Sequence, residues 1–228
     1  MGRVSTVSQQ INSMIMNNIM DFWRNEWAVV TDVSEVTDYE TETNGIKEVK
    51  IIVSAEITGR DKTWNYPYKD DNLYEIPTYK LYLIGTIGNQ RVVFTYNVFR
   101  FGVTRKTPTS PPYVCGLADK QRHIIKQWIP TYKVHSAASN EIGAWQVYGN
   151  FLIHDGPDNP LQETYATVGC IEICGGPQGF DKFNDDIIIL SGIQGGTRSE
   201  QLTRIGKSGK LVIEYEKADR PPLVSFNS

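Results

Sequence analysis

The chain has 228 residues, with 23 Lys and Arg against 26 Asp and Glu and a net charge of −3 at pH 7. That balance excludes the basic excess by which proteins draw nucleic acid or anionic membranes, and an apolar fraction of 40% is enough to bury a full core. Three cysteines exclude a complete disulfide framework, and with no apolar run of about 18 residues no helix is expected to span a membrane.

From Val4 to Val30 the apolar residues Val7, Ile11, Met14, Ile15, Ile19, Phe22 and Trp23 recur at three- and four-residue steps. Ser5 or Ser8 can cap them, which predicts an amphipathic helix, packed on the main body or docking a partner. Gln9, Gln10, Asn12, Asn17, Asn18 and Asp21 interrupt the same stretch, so it does not read as a secretory leader. The chain is expected either to bypass the general secretory route or to have lost its signal. Thr31 to Gly45 is an acidic connector, and residues 1–45 form a first unit ahead of a main domain over 46–228.

Beyond Asn44-Gly45 the texture is that of strands, in keeping with twelve Tyr, eight Phe and five Trp beside 19 Gly and 11 Pro. Lys47 to Thr58 alternates around Val49, Ile51 and Val53. Tyr79 to Thr86 and Arg91 to Val103 flank Gly88-Asn89, a hairpin signal. Three prolines make Lys106 to Pro112 a loop. Further strands are predicted at Tyr113 to Leu117, His123 to Tyr132, Trp145 to His154 and Gly169 to Cys174, a short helix over Phe180 to Leu190, and a closing strand over Lys210 to Lys217. The domain reads as mainly β with one or two short helices.

His123, His135 and His154 form no zinc spacing, and the Gly-Gly pairs at 175–176 and 195–196 lack the Lys-Ser/Thr that phosphate binding needs, so neither metal nor cofactor is expected. One constellation stands out. Phe151-Leu152-Ile153 leads a buried strand into His154, a Gly/Pro/Asp-rich turn follows, and Cys170 comes sixteen positions after the histidine. A thiol nucleophile needs an imidazole to take its proton, because the thiolate is the attacking species. Gly169 before it permits a turn that aims amides at a developing oxyanion.

At these residues the sequence resembles the L,D-transpeptidase family of bacterial peptidoglycan enzymes. Ile153-His154, the Asp158-Asn159-Pro160 turn and Thr167-x-Gly169-Cys170-Ile171 match the family pattern in type, order and spacing. The likeness is sharp over 153–173 and looser over Tyr79 to Val103, Thr107-Pro108 and the tail around Asp185 to Thr197. Residues 1–45 lie outside it. The resemblance implies an L,D-transpeptidase-like β-sandwich or barrel, with Cys170 as nucleophile, His154 as base, the Asp155 carbonyl orienting the imidazole, and the Gly169 amide in an oxyanion hole. Glu172, Tyr148, Trp145 and Thr167 are the candidate substrate-binding residues.

Three positions depart from the pattern. Val168 stands where many relatives have His, Asp155 where Gly follows the histidine, and Glu172 where Arg lies two after the cysteine. On a strand, Glu172 shares a face with Cys170, and a carboxylate there disfavours the thiolate unless the imidazolium compensates. The implied substrate is the peptidoglycan stem peptide, attacked in the periplasm or cell wall. With no evident signal, the expectation extends to an antibacterial effector toxin, with an immunity protein or secretion-system component as partner. An inactive binding or structural module of the same fold is the alternative.

Overall fold

The computed structural model describes residues 45–68, 70, 72–133, 143–156, 164–175 and 179–226. The chain divides into two units, Met1–Tyr39 and Glu40–Ser228, and the architecture here is that of the second. The predicted helix over Val4 to Val30 and the Asp158-Asn159-Pro160 turn lie outside the described residues. Among the described residues no helix is long and apolar enough to cross a membrane.

The protein is mainly β. β1 (Val49–Trp64), β2 (Leu73–Ile87) and β3 (Gln90–Phe99) form an antiparallel meander, and β2 and β3 turn at Gly88-Asn89 as the sequence predicts. β4 (Phe101–Thr104) and β5 (Tyr113–Gly116) make a separate hairpin. The strands β6 (Gln121–Ile124), β7 (Gln127–Ile129), β8 (Ala144–Tyr148), β9 (Phe151–Asp155), β10 (Ile171–Ile173) and β11 (Leu211–Tyr215) complete the main sheet, in the order β6-β11-β1-β2-β3-β10-β9-β8-β7. β12 (Val224–Ser225) adds to β2. Its two ends nearly meet. The Ile125 N–H donates to Leu211 O at 2.9 Å and the Lys126 N–H to Gln146 O at 3.0 Å. Two residues thus carry the chain from one edge to the other, and the sheet curls back on itself.

Helix α1 (Gly179–Ser191) fills the concave side because Phe180, Phe183, Ile187 and Leu190 recur at helical spacing, and all four are fully buried. Its Asn184 accepts from Trp145 Nε1 at 2.8 Å, and Trp145 packs on Trp128 with ring centroids 4.9 Å apart. Helix α2 (Arg198–Lys207) was not predicted, although the sequence carries its start signal. Thr197 Oγ1 accepts from the Glu200 N–H at 3.3 Å and Glu200 Oε2 from the Thr197 N–H at 2.7 Å, a capping box.

Three expected single strands are each broken in two. Trp145 to His154 turns at Gly149-Asn150, where Gly149 takes φ +51°, and becomes the β8–β9 hairpin. His123 to Tyr132 divides at the Ile125-Lys126 closure. Arg91 to Val103 divides at Arg100, a fully buried guanidinium that donates to Ser54 O, Leu117 O and Glu216 O at 3.1, 2.7 and 3.0 Å. Tyr79, Phe101 and Tyr215 face its planar cation at 5.2–5.7 Å. One side chain therefore ties β1, the end of β5 and the end of β11.

The β4–β5 hairpin lies against the segment 167–169 with no space for side chains. A Cβ on Gly102 would fall 1.7 Å from Thr167 O, and one on Gly169, at φ +100°, 2.6 Å from the Gly116 Cα. Gly102→Ala should therefore destabilise by about 3 kcal/mol or more, at or beyond the upper end of ordinary overpacking, since backbone must move. Gly88→Ala, at an open turn with nothing within 4 Å, should lose only about 1 kcal/mol for its φ of +59°. Urea denaturation of the two variants checks the contrast, and equal losses would mean the hairpin contact is not as close as described.

Candidate active site

β9 and β10 pair in parallel with Ile171 beside Ile153, Glu172 beside His154 and Ile173 beside Asp155. Register partners on neighbouring strands, about 4.8 Å apart, point their side chains to the same face. His154 and Glu172 therefore stand side by side. Cys170 stands one place before β10, its sulfur against backbone groups of Asn150 and Leu152. The other face carries Ile153, Ile171 and Ile173 toward Trp145 and α1. Above the His154 face, Tyr165 packs on Phe99 with ring centroids 4.5 Å apart. Its carbonyl is held by Thr63 Oγ1 at 2.9 Å and by the Trp64 N–H at 2.8 Å.

His154 has no exposed surface, and its Nδ1 lies 2.8 Å from Asp155 O. A carbonyl only accepts, so Nδ1 carries the proton and Nε2 is the basic atom of the neutral ring. This is the orienting role expected of the Asp155 carbonyl. Tyr132, whose ring centroid lies 5.9 Å from that of His154, borders the same imidazole. No sequence signal singled it out, because only the fold brings residue 132 beside strand β9.

Cys170 is 6% exposed, and its Sγ donates weakly to Asn150 O at 3.8 Å. Burial, with Glu172 and Cys115 adding negative charge nearby, pushes the thiol from 9.0 up to about 12, against a hydrogen bond from the Leu152 backbone that favours the thiolate. The resting sulfur is a thiol turned toward the β8–β9 turn. Cys115 is likewise raised by burial, to about 11.

The expected substrate-binding residues separate. Thr167 is fully buried, its hydroxyl donating to Cys170 O at 3.0 Å and accepting from the Gly169 N–H at 3.2 Å. It builds the turn that presents Cys170 and lines no groove. That same bond commits the Gly169 amide inside the turn, so in this state it is not offered to an oxyanion. Trp145 is fully buried against α1, and Glu172 is fully buried beside His154. Trp145 is inside because it lies on the face of β8 that packs on α1, and Glu172 because β10 is buried on both faces, which an alternation pattern alone does not reveal. Tyr148 remains 52% exposed, stacked on His123 at 4.7 Å, two residues before the Asn150 carbonyl that faces the Cys170 sulfur. Among the described residues no group of three or more His, Cys, Asp or Glu is arranged to hold a metal ion.

Compared with protein-family models, curated proteins and solved structures, the chain matches none.

The raised thiol has a consequence for stability. The folded protein keeps the Cys170 proton to higher pH than the unfolded chain does, so stability is intact below about pH 9 and falls as pH rises toward 12. Urea denaturation between pH 9 and 11 should show this loss. In Cys170→Ala the slope should be shallower by up to one proton, about 1.4 kcal/mol per pH unit. An unchanged slope would mean that the sulfur is already ionised in the folded protein.

Proposed function

We propose that the domain is a cysteine acyl-transfer enzyme acting on peptidoglycan stem peptides, as an L,D-transpeptidase, a D-amino-acid exchanger or an L,D-carboxypeptidase. One observation carries the reading: Cys170 immediately precedes β10, which pairs in parallel with the strand that carries Ile153-His154, its sulfur lies against Asn150 O just before that strand, and the His154 Nδ1–H is fixed on the Asp155 carbonyl. That leaves Nε2 as the base. In the reaction the Cys170 thiol turns from Asn150 O toward the imidazole and gives its proton to Nε2. The thiolate adds to the carbonyl of the residue preceding the terminal D-alanine, forming a tetrahedral oxyanion. Collapse breaks the peptide bond, the imidazolium returns the proton to the departing amine, and a thioester remains. An amine then takes the acyl group, giving a cross-link or exchange, or water does.

Purified muropeptides incubated with the protein and weighed should lose D-alanine, form dimers or gain a D-amino acid. Cys170→Ala and His154→Ala should each lower that turnover by about 10³-fold or more, because members of one catalytic unit fail together. Turnover retained in Cys170→Ala would end the reading. The burial that raises the Cys170 thiol favours a second reading, an inactive peptidoglycan-binding or structural module. A thiol label that reaches Cys170 faster than Cys115 and Cys174 supports the enzyme, and equal sluggishness at all three supports the module.

Delivery follows from where the substrate lies. An effector of this kind acts in the periplasm, with an immunity protein or a secretion-system component as its partner. Expression in the cytoplasm should leave growth unchanged, whereas expression behind a periplasmic leader should lyse or deform cells. Cys170→Ala should remove that toxicity. Equal toxicity in both compartments would count against a periplasmic site of action.

A further inference from the structure

Glu172 is a carboxylate with no exposed surface, set at the level of the candidate base. Burying an ionised carboxylate is unfavourable unless charge or hydrogen bonds compensate, and a residue so enclosed is poorly placed to meet a substrate. Its register partner is His154, on the same face and about 4.8 Å away across the strands. Cys170 is two residues back along its own strand direction, about 6.6 Å. Coulomb energy falls with distance, so the attraction of this carboxylate for an imidazolium exceeds its repulsion of a thiolate by roughly 1.4-fold. The net effect favours moving the proton from sulfur to nitrogen.

We infer that Glu172 is a positioning residue for His154, which from the neighbouring strand stabilises the imidazolium formed when His154 takes the Cys170 proton, and which does not touch substrate. The role rests on the reading of Cys170 and His154 as nucleophile and base. Charge balances: the thiol proton moves to Nε2, and the buried group of three keeps its single net negative charge throughout. Among the described residues, Cys174 and Tyr165 also face it, both raised by burial and by Glu172. Asp61 of β1 acts on those two, Cys115 of β5 acts on Cys170, and Tyr132 borders the His154 ring. From β3 the register partner of Glu172 is the uncharged Phe99.

The test is a pH titration of the histidines by nitrogen-resolved NMR in the full chain, with His123→Gln and His135→Gln for assignment. Burial and Lys126 lower His123, so a stabilised His154 should titrate above it. In Glu172→Gln, which keeps shape and removes charge, the His154 midpoint should fall by about one pH unit or more, a tenfold loss of proton affinity. The inflection of Cys170 alkylation should move down with it, because the same charge raises the thiol. Glu172→Asp should restore most of both shifts. A packing role alone would move neither. An unmoved midpoint in Glu172→Gln overturns the role, and should that variant fail to fold, a wild-type His154 midpoint below that of His123 overturns it instead. Muropeptide turnover by Cys170→Ala separates the two ideas. Lost turnover with an unmoved midpoint removes the Glu172 role alone, and retained turnover removes the dyad and the role together.

Discussion

The position of the candidate nucleophile depends on a backbone contact that admits no side chain. Gly102 and Gly116 on one side and Thr167 to Gly169 on the other approach so closely that an added methyl group would overlap main-chain atoms. The β4–β5 hairpin thereby becomes a template for the turn before β10, and the Thr167 hydroxyl locks that turn through the Cys170 carbonyl and the Gly169 amide. Cys170 is placed by rigid backbone on both flanks. Precision of this kind is what a nucleophile requires, since small displacements of a reacting group cost large factors in rate.

The same enclosure creates an electrostatic problem. A thiol, an imidazole and a carboxylate lie within a few residues of one another inside the fold, in surroundings that penalise every charge. Burial alone keeps the sulfur protonated. Only the mutual arrangement of the three can relieve this, because moving a proton from sulfur to nitrogen makes an ion pair beside an existing negative charge rather than an isolated anion. An arginine at position 172, as in the family that the sequence resembles, would act with opposite sign, favouring the thiolate directly and disfavouring the imidazolium. Which residue stands there therefore decides which partner in the dyad the strand supports.

Much of this was legible in the sequence. Gly88-Asn89 marked the β2–β3 turn, the spacing of Phe180, Phe183, Ile187 and Leu190 marked α1, and the run ending at His154 marked a buried strand, while the orienting carbonyl was implied by the family resemblance alone. The closing strand was placed within two residues. What failed was information about cover. Trp145, Thr167 and Glu172 lie on strand and turn positions whose residue types suit a groove, but only the packing of α1 on Trp145, of the β4–β5 hairpin on Thr167 and of Tyr165 and Phe99 over Glu172 decides that they are inside. Tyr132 reaches His154 through tertiary contact and left no local trace. The split of Trp145 to His154 is signalled only by Gly149-Asn150, inside an otherwise continuous apolar pattern. Helix α2 carries Thr197 and Glu200 in capping-box order, but its mostly polar interior offers only Leu202 and Ile205 as large buried anchors, too few for a clear helical period.

The pairing of β1 with β11 sets the order in which the domain can assemble. Val49 through Val53 find their parallel partners in Leu211 through Tyr215, almost the whole domain later in the chain. Until β11 arrives, β1 presents an open edge with Ile51 and Val53 uncovered, and the curl of the sheet has nothing to close against. Contacts so distant in sequence place folding in the slow range, milliseconds to seconds. A chain emerging from its N-terminus must hold most of a sheet unfinished over that interval, exposed to pairing with other copies. Removing even the short stretch beyond α2 would leave that edge permanently open. The integrity of the site at residues 154–172 therefore hangs on residues 211–215, which never approach it in sequence.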